Sequence, residues 1–199
     1  MEPYRLSAEH AEAAGDLLAA AFFPAALAAF ITPDPTRRAR RGPLFYAALT
    51  RLVVRHGEAT AYGAPLQAVA LWLPPDRQEP TEAELAEVGL TAVRALMDEG
   101  EAARSAALNR HFDAAHERVM DRPHWYLPFL AVALEQQGRG AGSRLMRHTL
   151  DRADVAGVPC YLDSADERNL PFYERLGFRV VGTGMVPGSQ VRTWSMRRG

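Results

Sequence analysis

Apolar positions along the chain fall into short runs and longer periodic stretches, which together predict an alternation of strands and helices. Runs of strand length bounded by glycine, proline or polar residues predict strands over 4–6, 58–62, 67–73, 124–132, 160–164, 178–185 and 190–196. Amphipathic or alanine-rich stretches predict helices over 7–22, 43–55, 140–156 and 169–176, with two more between 81 and 120 that Gly100 divides. The pattern therefore predicts an α/β fold in which residues 1–199 form a single domain.

The stretch between the first two predicted helices is rich in prolines and arginines. Pro33 and Pro35 precede a basic cluster, which consists of Arg37, Arg38, Arg40 and Arg41. Prolines and like charges favour solvated chain, so we expect a solvated connection leading to a helix at Pro43 rather than an anion site.

A glycine-rich turn is the most informative feature of the chain. Gln137-Gly138-Arg139-Gly140-Ala141-Gly142 follows the predicted strand 124–132 and opens the next predicted helix. Glycines let the backbone approach an anion closely, and the free N–H groups of a first helical turn point at it. The sequence therefore predicts a phosphate-binding turn.

Glycine-rich turns of this kind bind three classes of phosphate ligand. A nucleoside triphosphate loop needs Lys followed by Ser or Thr, whereas Gly142 is followed by Ser143-Arg144. A dinucleotide fingerprint needs G-x-G-x-x-G, whereas these glycines stand at 138, 140 and 142. The remaining ligand is the diphosphate of coenzyme A, which requires only one such turn and a neighbouring strand.

A second motif downstream supports coenzyme A. Asn169-Leu170-Pro171 leads into Phe172-Tyr173-Glu174-Arg175-Leu176-Gly177-Phe178. With Leu130-Ala131-Val132 and the glycine turn, this segment resembles the GNAT acetyltransferase superfamily. Within it, His124-Trp125-Tyr126-Leu127 and Arg168–Tyr173 resemble a subgroup that includes puromycin N-acetyltransferase. The resemblance covers about 124–199, and 81–120 is then a helical insertion beyond the family minimum.

The resemblance implies a GNAT fold, in which a mixed, mostly antiparallel, twisted sheet is flanked by helices. It also implies direct transfer of an acetyl group from acetyl-CoA to the primary amine of a small molecule. Acetyl-CoA would be bound by Leu130, Ala131, Val132, Gln137, Gly138, Arg139, Gly140, Ala141, Gly142, Ser143, Asn169 and Tyr173. A non-catalytic acyl-CoA sensor, or an enzyme acting on protein N-termini or lysines, remains an alternative.

Acetyl transfer needs three kinds of group, and the candidate catalytic residues follow from them. The resemblance implies that the backbone N–H of Leu130 or a neighbour stabilises the oxyanion and that Tyr173 protonates the leaving thiolate. A carboxylate or a chain of waters must deprotonate the amine; Glu58 and Asp163 are candidates, with Ser164, His124 and Tyr126 nearby alternatives. The single cysteine, Cys160, is predicted to be a buried strand residue, which disfavours an acyl-enzyme.

Composition narrows the partners further. The 199 residues carry a net charge of -1, which argues against a dedicated nucleic-acid binder. The N-terminal residues do not show the basic segment and apolar core of a secretory signal peptide. No apolar run reaches the ~20 residues that a membrane-spanning helix needs. His111 and His116 lie five apart on a predicted helix, so we expect surface positions and no metal site. We expect a cytoplasmic monomer or homodimer that uses neither nucleic acid nor membrane.

Overall fold

A seven-stranded mixed sheet forms the centre of the molecule in a computed structural model that describes residues 2–77 and 79–199. The strands are β1 (Tyr4–Arg5), β2 (Glu58–Tyr62), β3 (Ala68–Leu73), β4 (Trp125–Val132), β5 (Cys160–Ser164), β6 (Arg179–Met185) and β7 (Arg192–Arg198). Their order across the sheet is β1-β2-β3-β4-β5-β7-β6, and β4 and β5 are parallel while the other neighbours are antiparallel. The predicted mixed, mostly antiparallel sheet is confirmed.

Helices cover both faces of this sheet. They are α1 (Ala11–Phe22), α2 (Ala26–Ile31), α3 (Pro35–His56), α4 (Glu82–Glu87), α5 (Leu90–Arg94), α6 (Glu99–Val119), α7 (Ala141–Ala156) and α8 (Leu170–Glu174). On one face, α7 packs through Leu145, Met146 and Leu150 against a core that includes Trp72 and Leu162. On the other face, α1 and α3 cover a second core that includes Leu71 and Ala131.

β4 and β5 pair only over their first three residues. The parallel pairing runs from Trp125 opposite Cys160 to Leu127 opposite Leu162, although β4 continues to Val132 and β5 to Ser164. β4 stays paired with β3 as far as Val132. Because β5 leaves β4 after Leu127, the second half of β4 has an open edge inside the sheet.

The predicted solvated connection before Pro43 is wrong. α3 begins at Pro35, and the side chain of Asp34 caps it by accepting from the N–H groups of Thr36 and Arg37. Pro43 lies inside the helix, where the close approach of α1 matters: a Cβ on Gly15 would lie 2.7 Å from the Pro43 carbonyl oxygen. The basic cluster therefore belongs to a packed helix.

The helical insertion is broken at a different place from the one predicted. Gly100 does not divide it, because α6 begins at Glu99 with Asp98 as its cap. The breaks lie at Gly89, whose φ of 88° is left-handed, and between Arg94 and Glu99. Glu101 is 2% exposed and accepts from Arg37 and Arg41, so the insertion is tied to α3 by buried charge.

Candidate functional site

The glycine-rich turn has the backbone that an anion site needs. Gly138 and Gly140 have φ values of 74° and 84°, a left-handed conformation that favours glycine. A Cβ built on either residue would meet no atom within 4 Å, so both face open space. The turn is therefore open on the side where a phosphate group would lie.

The start of α7 supplies hydrogen-bond donors to that space. The Arg144 N–H is the first to bond back along the helix, donating to the Gly140 carbonyl oxygen at 3.0 Å. The N–H groups of Ala141, Gly142 and Ser143 precede it and have no acceptor within the helix. Together with the positive end of the helix dipole, these donors fit the diphosphate of coenzyme A.

Gly142 fixes the turn against β4. A Cβ on Gly142 would lie 3.2 Å from Cγ2 of Val132 and 3.5 Å from Cζ of Phe172. The helix start can therefore pack directly on the strand only because Gly142 has no side chain. Gln137 adds a second link, since its Nε2 donates to the Val132 carbonyl oxygen at 3.2 Å.

The register of β4 decides which backbone groups face the open edge. Ala133 donates its N–H to the Gln67 carbonyl oxygen at 2.8 Å, so its backbone faces the β3 side. In an antiparallel pair, the backbone N–H and C=O groups of every second residue point toward the partner strand. Those of Ala131 and Phe129 therefore point toward β3, and those of Leu130 and Val132 point toward the gap. The Leu130 and Val132 N–H groups are thus placed for a ligand lying between β4 and β5.

Tyr173 lies on the same face as the glycine turn. Its ring packs against Phe172 and Phe178, with centroid separations of 5.1 and 6.1 Å. Tyr173, Leu130 and Val132 all pack on the core beneath α7. Burial raises the pKa of the Tyr173 hydroxyl to about 12, so it keeps its proton at neutral pH.

The other predicted cofactor residues divide between the two faces. Arg139 is exposed at the turn, and Asn169 is exposed at the start of α8. The side chain of Ala131 packs into the core beneath α1 and α3, so only its backbone is near the cofactor side. Ser143 is half-buried in the first turn of α7.

Asp163 lies on the opposite face, at the gap end of β5. The hydroxyls of Tyr161 and Ser195 both donate to its Oδ1, at 2.8 and 2.9 Å. Its Oδ2 is buried and accepts from no group in 2–77 or 79–199. Burial raises the pKa of Asp163, and the two hydrogen bonds from the hydroxyls lower it. The effect of burial is larger, so the pKa is about 6. The site holds a carboxyl group with an unused acceptor and a pKa near neutrality.

Glu58 lies two strands away from β4, within an ion cluster on the α7 side. It is 2% exposed, accepts from Thr149 and Arg152, and pairs with Arg5 at 3.4 Å. Burial would raise its pKa, but the hydrogen bonds and charge of Arg152, with Thr149 and Arg5, lower it overall. A fully partnered, ionised carboxylate favours a role in holding α7 on the sheet.

These elements match a known family. The family model for the acetyltransferase (GNAT) family matches residues 59–178. The chain belongs to the GNAT family. That match contains β3 to β5, most of β2, the glycine turn and Tyr173.

Relatives of this GNAT protein include an uncharacterized N-acetyltransferase of Schizosaccharomyces pombe. It is 36% identical over 66 residues, which are 33% of this chain and 26% of that protein. The polyamine N-acetyltransferase of Drosophila melanogaster has a TM-score of 0.66 at 15% identity, with 98% of this chain and 97% of that one covered. Arylalkylamine N-acetyltransferase 2 of Aedes aegypti has a TM-score of 0.64 at 13% identity, with 99% and 97% covered. The two structures establish the GNAT fold.

The sequence indicated His124 and Tyr126, but it did not reveal that His116 packs against both of them on the face that carries Asp163. His116 stacks on Tyr161 at 4.3 Å and contacts His124 through the two Nε2 atoms. Burial, together with His124 and Arg77, lowers the pKa of His116 to about 4, so the ring is neutral. Nδ1 of His124 is hydrogen-bonded to the Arg122 carbonyl oxygen, and because that oxygen can only accept, Nδ1 carries the proton. The predicted surface position of His116 is therefore wrong.

Within residues 2–77 and 79–199, no three His, Cys, Asp or Glu side chains are grouped as metal ligands. In that same part of the chain, no helix has both the length and the apolar character needed to cross a bilayer.

Proposed function

We propose that this protein is an acetyl-CoA-dependent N-acetyltransferase that moves the acetyl group directly to the primary amine of a small molecule. The observation that carries the proposal is the open edge of β4 at Leu130 and Val132, directly beside the glycine turn 137–142. The open edge of β4 can bind the amides of an extended thioester arm, and the glycine turn can bind a diphosphate.

The backbone of Gln137–Ser143 would bind the diphosphate, and Leu130 and Val132 would pair with the amides of the pantetheine arm. Acetyl-CoA supplies the activated acetyl group, a thioester whose carbonyl carbon an amine can attack. The Leu130 N–H then donates to the acyl oxygen as negative charge develops on it. One such backbone donor contributes about 3–4 kcal/mol in acyl-transfer enzymes.

Asp163 is the better candidate for the base that takes the amine proton. A general base is most effective when its pKa lies near the working pH, and the pKa of Asp163 is about 6. Its buried Oδ2 accepts from no group among residues 2–77 and 79–199. Glu58 is bound to two arginines and a threonine, and its lowered pKa makes it a weaker base. We therefore assign the base to Asp163 and a structural role to Glu58.

Tyr173 is the proposed acid. A phenol whose pKa is about 12 is protonated at neutral pH and can donate to the departing thiolate. Because the pKa of the thiol formed is ~8.5, the transfer is uphill and is completed when the phenolate takes a proton from solvent or the one released by the amine. The placement of Tyr173 on the cofactor face, with Leu130 and Val132, supports this role.

The acceptor is proposed to be a small amine. The Drosophila and Aedes neighbours are named for polyamine and arylalkylamine acceptors. Membership of the subgroup that includes puromycin N-acetyltransferase stays a prediction from 124–127 and 168–173, as does residence in the cytoplasm.

Release of free thiol from acetyl-CoA, followed with a panel of monoamines, diamines and a lysine peptide, tests the proposal. We expect at least one small amine to accelerate release and to be recovered as its acetamide. Tight binding of acetyl-CoA without amine-stimulated release would instead support an acyl-CoA sensor. Faster release of thiol with the peptide than with every small amine would indicate that the acceptor is a protein.

A further inference from the structure

The carboxyl group of Asp163 is held through only one of its two oxygens. Tyr161 on β5 and Ser195 on β7 both donate to Oδ1, while Oδ2 accepts from no group in 2–77 or 79–199. A carboxylate oxygen has two lone pairs, so two donors fill Oδ1. They also fix the plane of the carboxyl group, which leaves Oδ2 as the oxygen that can take a proton.

The two donors are held in place by the surrounding structure. Ser195 stands directly opposite Asp163 in the pairing of β5 with β7, and it is 4% exposed. The ring of Tyr161 is 0% exposed and lies between two others: His116 stacks on it at 4.3 Å, and Tyr126 packs on it at 5.7 Å. Both hydroxyls are therefore oriented before any substrate arrives.

His116 connects this arrangement to the helical segment 81–120. Its Nε2 lies 2.5 Å from Nε2 of His124. Because the proton of His124 is on Nδ1, Nε2 of His124 accepts and Nε2 of His116 donates. This hydrogen bond fixes the ring of His116, which belongs to α6, against the ring of Tyr161.

We propose that Tyr161 and Ser195 are positioning residues for acetyl transfer: by filling Oδ1 of Asp163 they keep Oδ2 as the atom that takes the amine proton, and they stabilise the carboxylate that does so. The inference rests on the proposed function and deepens its account of the base. Hydrogen bonds to a charged form favour that form, so each hydroxyl keeps the base active to lower pH. When the proton arrives on Oδ2, Asp163 becomes a neutral carboxyl group whose Oδ1 still accepts from both hydroxyls.

Other ionisable groups surround these residues. By element, they are His116 and Asp113 on α6, Tyr126 on β4, Arg197 on β7 and Arg77 after β3. The charged ones act on the pKa values of the His116–His124 pair and of Tyr126. The pKa of Asp163 responds to burial and to the hydroxyls of Tyr161 and Ser195.

The test compares the wild type, Tyr161→Phe, Ser195→Ala and the double variant, with Thr193→Val as the control. Thr193 also carries a buried hydroxyl on β7, but that hydroxyl contacts His111 and not Asp163. Carbon NMR of the Asp163 carboxyl group gives its titration midpoint without any substrate. The ratio of kcat/KM in each variant to that of the wild type is then followed with pH, because the ionisation of the amine cancels in this ratio.

Each single variant should move the titration midpoint to higher pH by about one pH unit, because it removes one hydrogen bond that favours the carboxylate. The kcat/KM ratio should then rise about tenfold from about pH 5 to about pH 9, as the base of the variant becomes ionised. In the double variant the ratio should stay at or below about one tenth even at about pH 9, since the carboxyl group is no longer fixed. Thr193→Val should change neither the midpoint nor the ratio.

Three outcomes would overturn the inference alone in an active enzyme. The first is an unmoved midpoint in both single variants that circular dichroism shows to be folded. The second is a loss of kcat/KM that is the same at every pH, which is the result expected if the hydroxyls serve folding only. The third is a double variant as active as the wild type at about pH 9. If no amine accelerates thiol release from acetyl-CoA, the proposed function fails and the inference fails with it.

Discussion

Replacing Asp163 by asparagine should make the protein more stable at alkaline pH while it lowers activity. The amide oxygen of asparagine can accept the hydroxyls of Tyr161 and Ser195 just as Oδ1 does, and the side chain has nearly the same shape. The substitution therefore removes the charge and the basicity of the group and keeps its shape. The NH2 group at the position of Oδ2 has no acceptor, which lowers stability by an amount that does not depend on pH, so the test is the change of the stability difference with pH.

The size of the stability effect follows from the pKa of Asp163. Its value of about 6 in the folded protein, against 3.8 for the free side chain, means that folding favours the neutral carboxyl group. The favourable contribution of that neutral group is complete below about pH 4 and is lost as the pH rises through 6. Two pKa units correspond to about 3 kcal/mol, of which about 2 kcal/mol falls between about pH 4.5 and pH 8.

Urea unfolding of the wild type and Asp163→Asn across this range measures the effect. The free energy of unfolding of the variant, minus that of the wild type, should increase by about 2 kcal/mol from about pH 4.5 to pH 8. Asp166→Asn is a suitable control: Arg168 lowers the pKa of Asp166, so the pH dependence of that variant should have the opposite sign. Thiol release by Asp163→Asn should fall by ~10²–10⁴. A stability difference that does not change with pH would refute the raised pKa of Asp163.

Three other substitutions test separate parts of the site. Tyr173→Phe should lower turnover by ~10–10⁴-fold with nearly unchanged acetyl-CoA affinity by calorimetry, and unchanged turnover would remove Tyr173 from the mechanism. Gly140→Val should weaken acetyl-CoA binding by at least about tenfold, because the new side chain fills the open turn. Gly157→Val is the control, since Gly157 is also left-handed with no atom near its Cβ, and it should leave the affinity unchanged. Equal losses of affinity in the two variants would place the diphosphate elsewhere. Glu101→Gln should reduce the free energy of unfolding by about 3–5 kcal/mol because Arg41 is left buried without its carboxylate, whereas Glu99→Gln in the same turn should have little effect. Similar urea midpoints for these last two variants would contradict a buried ion cluster.

Local signals were sufficient to predict most of the sheet. The glycine turn was marked by its own composition, whereas Leu130–Val132 and Tyr173 became candidates through the resemblance to the GNAT superfamily, and their roles stay predictions. The start of α3 was missed because Pro35 and Pro43 resemble helix breakers, while the cap at Asp34 and the contact of Gly15 with α3 depend on tertiary structure.

The environment of Asp163 depends on long-range pairing that no local pattern encodes. Ser195 is opposite Asp163 only because β7 inserts between β5 and β6. His116 reaches Tyr161 only because α6 packs over β7 and β6. Sequence reasoning could therefore name Asp163 as a candidate but could not distinguish its environment from that of Glu58.

The helices on the two faces of the sheet come from different stretches of the chain. Everything proposed to handle the thioester lies in a continuous block from β4 to α8. The opposite core is covered by α1 and α3, and α3 is joined to α6 because Arg37 and Arg41 both pair with Glu101. An exchange of residues 11–46 between related proteins would therefore have to carry 97–105 with it, while the block from β4 to α8 stayed in place.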